Sequence, residues 1–255
     1  MEQEILNEFD DFYEDFKNAT KNIDDEPRGI LRSEAFFVRS LCGHNPKRII
    51  ESGRARGQST YLLAKSLPNA KIISIEYDKN SVDSQFALER LSECENVQCL
   101  FGDSRKLIPE LVEDGDILLI DGPKDMDALN LLAKISNQVS LSGAFIHDAY
   151  EGSILRQWLR AYKPKLIYSD HYEYLCKYCH LDHNTHPETQ LYINDGPKSC
   201  KSLIYGGTFV FLNSAQARFY FIQIILIKMY KIFYKLRRSF FKRIGLTFDD
   251  PHPCS

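Results

Sequence analysis

The sequence predicts an α/β fold, a mostly parallel sheet with helices on both faces. Two observations carry this. Short apolar runs that barely alternate, such as Ile117-Leu118-Leu119-Ile120, read as strands buried on both faces. Between successive runs lie segments of helical length and period, the crossover that parallel strands require.

Taken in order, residues 1–45 form a helical cap, because Ile5, Phe9, Phe12, Phe16 and Ile23 recur at roughly helical spacing before Pro27-Arg28-Gly29 interrupts. An α/β domain follows over 46–213. Its strands are expected at Arg48–Glu51, Lys71–Glu76, Val97–Phe101, Asp116–Asp121 and Gly143–His147. Helices are expected at Ser59–Ser66, Asn80–Ser92, Ser104–Val112, Met126–Asn137 and Ser153–Ala161. Two more strands, near Lys165–Tyr172 and Leu203–Leu212, have no clear helix between them and suit an antiparallel pair, with about 173–202 as an insertion. A basic amphipathic helix over 214–245 and a tail over 246–255 complete the chain.

Composition is that of an ordinary globular protein: 255 residues, 44% hydrophobic, 26% charged, net charge −3. That charge gives no footprint for nucleic acid. The ends are polarised. Residues 1–26 hold ten acids against two lysines, and 218–243 hold eight bases and no acid. The bases Lys228, Lys231, Lys235, Arg238 and Lys242 make one stripe beside Tyr230, Phe233, Leu236, Phe240 and Ile244. This pattern suits a peripheral membrane contact, a homodimer contact, or docking on the acidic cap. Seven cysteines and no secretory signal at the acidic N-terminus point to a reducing, cytoplasmic setting with mostly free thiols.

Function is read from the strand ends, because open α/β sheets bind ligands outside the carboxyl ends of their strands. There stand Glu51-Ser52-Gly53 with Gly57 and Ser59, then Glu76-Tyr77-Asp78, Gly102-Asp103-Ser104, Asp121-Gly122-Pro123 and His147-Asp148. Neither G-x-x-x-x-G-K-[ST] nor G-x-G-x-x-G occurs, which argues against nucleoside triphosphates and nicotinamide cofactors. A rim of carboxylates suits a ligand with hydroxyls, an amine and a positive charge. Glu76 is placed for two ribose hydroxyls, and Asp103 for an adenine amino group or, more simply, as a helix N-cap.

In this order and spacing the set resembles the class I S-adenosylmethionine-dependent methyltransferases, closest to their small-molecule O-methyltransferase branch. Glu51-x-Gly53-x-x-x-Gly57 is similar to their first motif, although Ala55 stands where many members have a second glycine. The resemblance implies a Rossmann-like, seven-stranded sheet and S-adenosyl-L-methionine as cofactor, held by Glu51, Gly53, Gly57, Ser59, Glu76, Asp103 and Asp121. It also implies O-methylation of a small-molecule or sugar hydroxyl, with Asp121, His147 and Asp148 at the reacting atoms and His147 as base. Asp121 and Asp148 are the expected ligands of a Mg²⁺ ion, although Ala149 replaces an asparagine common in metal-dependent members. Separately, Cys176-x-x-Cys179 with His180, His183, His186 and Cys200 could hold zinc or merely form a polar loop. A non-catalytic nucleoside-binding or membrane-tethered scaffold is the competing reading.

Overall fold

The computed structural model describes residues 3–26, 29–162, 166–182, 208–220, 222–226 and 229. Seven strands form one sheet in the order β3-β2-β1-β4-β5-β7-β6. They are β1 (Arg48–Ser52), β2 (Lys71–Glu76), β3 (Val97–Phe101), β4 (Ile117–Ile120), β5 (Gly143–Ile146), β6 (Ile167–Tyr168) and β7 (Val210–Leu212). β1 to β5 pair in parallel, with Ile50 opposite Ile73 on one side and Leu118 on the other. β7 runs antiparallel to both β5 and β6. The last two strands are therefore the antiparallel pair expected from the sequence, with β6 shorter than expected and residues 203–207 outside the described residues.

The helices are α1 (Gln3–Thr20), α2 (Arg32–Leu41), α3 (Gln58–Ser66), α4 (Val82–Leu91), α5 (Ser104–Leu111), α6 (Asp125–Ser136), α7 (Ile154–Tyr162) and α8 (Tyr172–Tyr178). A 3₁₀ turn, Cys179–Asp182, follows α8, and α9 is helical at 214–220 and 222–226. One apolar layer joins the sheet to α1, α2, α3 and α8 through Phe9, Phe16, Phe36, Phe37 and Tyr174. The other joins it to α6, α7 and α9 through Leu129, Leu132, Leu155, Leu159 and Tyr220. Apolar residues on both faces of β1 and β4 account for the unalternating runs.

The cap is thus part of the core. α1 buries Leu6, Phe9, Phe12 and Phe16, the helical stripe seen in the sequence. Its acids are partly consumed by the domain: Asp10 accepts from Lys177 and from Tyr178 Oη at 2.8 Å. The basic stripe from Lys228 onward and most of the 173–202 insertion lie outside the described residues. On α9, Ile222 and Leu226 are exposed and Tyr220 is buried. Among the described residues no helix is long and apolar enough to cross a membrane.

Candidate active site

The glycine turn after β1 sits against the end of β4. Gly53 has φ +86°, and a Cβ there would lie 2.5 Å from the Gly122 amide nitrogen and 2.8 Å from the Asp121 carbonyl carbon. The Asp121 and Gly122 amides both donate to the Ser52 carbonyl at 3.0 Å. The turn and the Asp121 loop are therefore packed backbone to backbone, which only glycine permits. Ala55 has φ +46°, left-handed in a residue with a Cβ, at the position where a glycine is common in the resembled motif.

Two cavities flank this turn. The larger, about 360 Å³, lies between the ends of β2, β3 and β4 and is lined by Gly53, Glu76, Gly102, Asp103, Gly122 and Lys124, among others. Glu76 Oε2 accepts from the Ala55 amide at 2.8 Å and Oε1 from the Tyr77 amide at 2.7 Å. Each oxygen keeps a lone pair for a ligand hydroxyl. Asp103 caps α5, accepting from the Arg105 amide at 3.0 Å, and also pairs with the Arg105 guanidinium, which holds its carboxyl below the usual range.

The second cavity, about 240 Å³, lies under the cap and is lined by Ile30, Glu34, Gly53, Ser59, Asp121 and His147, among others. Glu51 lines neither cavity. It is 1% exposed, and its carboxylate accepts from the hydroxyls of Ser59, Thr60 and Ser74, the last at 2.6 Å. Burial pushes its carboxyl up despite these donors. Of the site residues expected from the sequence, the structure places Glu76 and Asp103 in one cavity, Ser59, Asp121 and His147 in the other, and Gly53 in both walls. Gly57, at φ +78°, is the N-cap of α3 and packs toward Ala87 and Leu91.

At the ends of β4 and β5 the expected trio does converge. Ligand atoms of Asp121, His147 and Asp148 all lie within 4.8 Å of one another, the one such group among the described residues. His147 Nδ1 is 2.9 Å from Asp121 Oδ1 and 3.4 Å from Asp148 Oδ1. Asp148 is held at φ +61°, backbone strain of a kind that collects at functional sites. Lys124 sits between the two carboxylates, with Nζ 2.5 Å from Asp121 and 2.6 Å from Asp148. Its ammonium supplies a cation between the two carboxylates. Burial alone would raise the Asp121 pKa, but His147 and Lys124 hold it at about 2. Burial alone would lower that of His147, but the carboxylates of Asp121 and Glu34 push it up to about 10.

That shift carries a stability signature. A histidine whose folded pKa lies above its ordinary 6.5 contributes stability in full below pH 6.5 and loses it as pH rises toward 10. Thermal melts of the wild type across pH 6.5 to 10 should therefore fall more steeply than those of His147→Asn. Parallel curves would show that the ring is not held charged.

Three contributors escaped the sequence reading. Lys124 follows Asp121 by three residues in the loop before α6, a spacing that was available as a signal. Glu34, from α2, reaches the same site from a segment read only as a cap. The described residues 21–26 and 29–31 also contribute, and Gly29 and Ile30 line the second cavity. There Asp25 accepts from Arg32 Nε at 2.8 Å, Glu26 pairs with Arg56 at 2.6 Å and Arg90 at 3.4 Å, and Gln58 Nε2 donates to the Ile30 carbonyl at 3.1 Å. In the cysteine-histidine segment, Cys176 is exposed on α8, Cys179 is half-buried, and both are free thiols. His180 Nε2 is 2.6 Å from Tyr13 Oη. His183, His186 and Cys200 lie outside the described residues.

Comparison with known proteins follows the geometry. Residues 45–120 match a family model described as a putative methyltransferase. No curated protein sequence matches significantly. Similar crystal structures include the O-methyltransferase TomG from Streptomyces achromogenes in complex with SAM, at 15% identity over 84% of this chain and 91% of that one, TM-score 0.46. The fibrillarin/Nop5p complex matches at 16% identity over 73% and 81%, TM-score 0.46. An rRNA methylase from Streptococcus thermophilus matches at 13% identity over 71% and 95%, TM-score 0.42. These likenesses are too distant to bear on the acceptor. The family match spans β1 to β4 with the glycine turn. The matched segment, on a seven-stranded and mostly parallel sheet, is thus similar to a putative methyltransferase family, and the match supports methyltransferase activity.

Proposed function

We propose that the protein transfers the methyl group of S-adenosylmethionine to a hydroxyl of a small-molecule or sugar acceptor. The observation that carries this is the pair of cavities divided by Gly53. The nucleoside belongs in the larger one, where Glu76 takes the ribose hydroxyls. The methionine end and the acceptor meet in the smaller one, beside Asp121 and His147. A cavity of about 240 Å³ lined by Glu34, Asp83 and Asp121 together with Arg54, Arg56 and His147 suits a small polar acceptor. Methyl transfer is an in-line displacement, so holding the acceptor oxygen against the sulfonium is most of the catalytic task. In this reading Lys124 supplies the cation between Asp121 and Asp148.

Two measurements test the reading. Calorimetric titration should show Glu76→Ala binding S-adenosylmethionine roughly 10 to 100 times more weakly than wild type, the worth of one or two charge-assisted hydrogen bonds. Equal affinity would remove Glu76 from the donor site. Tritium from methyl-labelled S-adenosylmethionine should enter the small-molecule fraction of a cell extract. Label confined to RNA or protein would overturn the acceptor class, and no transfer at all would favour a non-catalytic scaffold.

A further inference from the structure

Three residues lining the smaller cavity carry buried side-chain atoms without a hydrogen-bond partner: Glu34 Oε1, His147 Nε2, and Arg54 Nε and Nη2. Glu34 Oε1 and His147 Nε2, on side chains 5% and 9% exposed, form an ion pair at 3.7 Å, which is longer than a hydrogen bond and leaves both bonding positions open. Each is held by its other end. Glu34 Oε2 accepts from the Leu31 amide at 2.9 Å, and His147 Nδ1 is bonded to Asp121. The start of α2 is fixed in turn by Asp182, which accepts from the Ser33 amide at 2.8 Å and the Ser33 hydroxyl at 2.6 Å. Tyr174 Oη donates to the Ser33 carbonyl at 2.6 Å. Orphaned atoms of this kind are costly, and at an active site they mark where a ligand bonds.

We propose that Glu34 is a catalytic residue, whose Oε1 takes the proton of the acceptor hydroxyl while His147 Nε2–H bonds the same oxygen. This rests on the methyltransferase reading above. A hydroxyl satisfies both atoms, because it donates one hydrogen to Glu34 and offers a lone pair to His147. An ammonium lacks the lone pair and a carboxylate lacks the hydrogen. The step balances. The acceptor O–H bond breaks and its proton goes to Glu34. The oxygen forms the new bond to the methyl carbon. The carbon–sulfur bond breaks, and its electron pair neutralises the sulfonium as a thioether. His147, ringed by Asp121, Asp148 and Glu34, serves as the hydrogen-bond donor to that oxygen. Burial pushes the Glu34 carboxyl up, toward the range of a useful base. The charged or titratable groups bearing on Glu34 are His147 and Asp121 from the strand ends, Tyr174 from α8 and Asp182 from the 3₁₀ turn.

The test compares wild type, Glu34→Gln and Glu34→Asp in full-length protein. Calorimetry with S-adenosylmethionine comes first, and all three should agree within about threefold, which shows that the variants fold and keep the donor site. Tritium transfer from the labelled donor into the small-molecule fraction of a cell extract is then followed from pH 5 to 10. Glu34→Gln should lose roughly 100-fold or more. Its residual rate should climb with hydroxide throughout, whereas wild type reaches a plateau. Glu34→Asp should keep the plateau at a lower rate. A glutamine variant within threefold of wild type, or one slowed equally at every pH with the plateau intact, overturns the proposal while leaving the methyltransferase reading standing. Wild type that binds no donor, or transfers no label, overturns that reading and the proposal with it.

Discussion

Gly53→Ala is expected to cost roughly 2 to 4 kcal/mol of stability, adding a left-handed-backbone penalty to an overpacking penalty. The new methyl would stand 2.5 Å from a backbone nitrogen and 2.8 Å from a backbone carbon, and neither can swing aside as a flexible side chain would. Relief requires the Asp121 loop to retreat from β1. That would break the two amide bonds to the Ser52 carbonyl and move Asp121 away from His147 and Lys124. Thermal melts should register a drop of roughly 5 to 15 °C for a chain of this size. Affinity for S-adenosylmethionine should fall at least ~100-fold, because the wall between the two cavities is displaced. A variant that melts and binds like wild type would show that the turn and the Asp121 loop are not in contact.

Glu51→Ala should be comparably severe, but through stability rather than through the ligand. Truncation opens a cavity and strands the hydroxyls of Ser59, Thr60 and Ser74 in the interior. Together these effects are worth roughly 3 to 5 kcal/mol. Glu51→Gln retains one acceptor oxygen and should cost less than half as much. Paired chemical denaturation and donor titration separate the two possible roles. Loss of stability with modest loss of affinity is expected from a carboxylate that joins β1, β2 and α3. Loss of affinity at unchanged stability would instead show Glu51 meeting the donor itself.

Much of the scaffold was legible along the chain. Apolar runs with no alternation marked β1 to β5, and the segments between them became α3 to α7 with boundaries shifted by a residue or two. β6 and β7 were legible only as a pair. Asp103 shows how two readings coexist, since it caps its helix and still lines a cavity.

The candidate site divides in the same way. Strand-end chemistry is local: a strand of known direction brings its last residue to the rim, so Glu76, Asp121 and His147 could be named from order and spacing alone. Where a side chain points, and what else arrives beside it, depends on contacts between distant segments. Glu51 turns into the interior because three hydroxyls from α3 and β2 surround it there. Lys124 lies between Asp121 and Asp148 because the loop after β4 folds back beside β5. Glu34 comes from α2, 113 positions before His147, carried by a cap whose aromatic face packs on the sheet. The sequence by itself determined the layers of the fold, the edge of the sheet that binds and the acids standing there, since these follow from local periodicity and chain direction. Which of those acids turns into the interior and which pairs with a lysine came from the three-dimensional packing, because each outcome is settled by long-range contacts that no local pattern encodes.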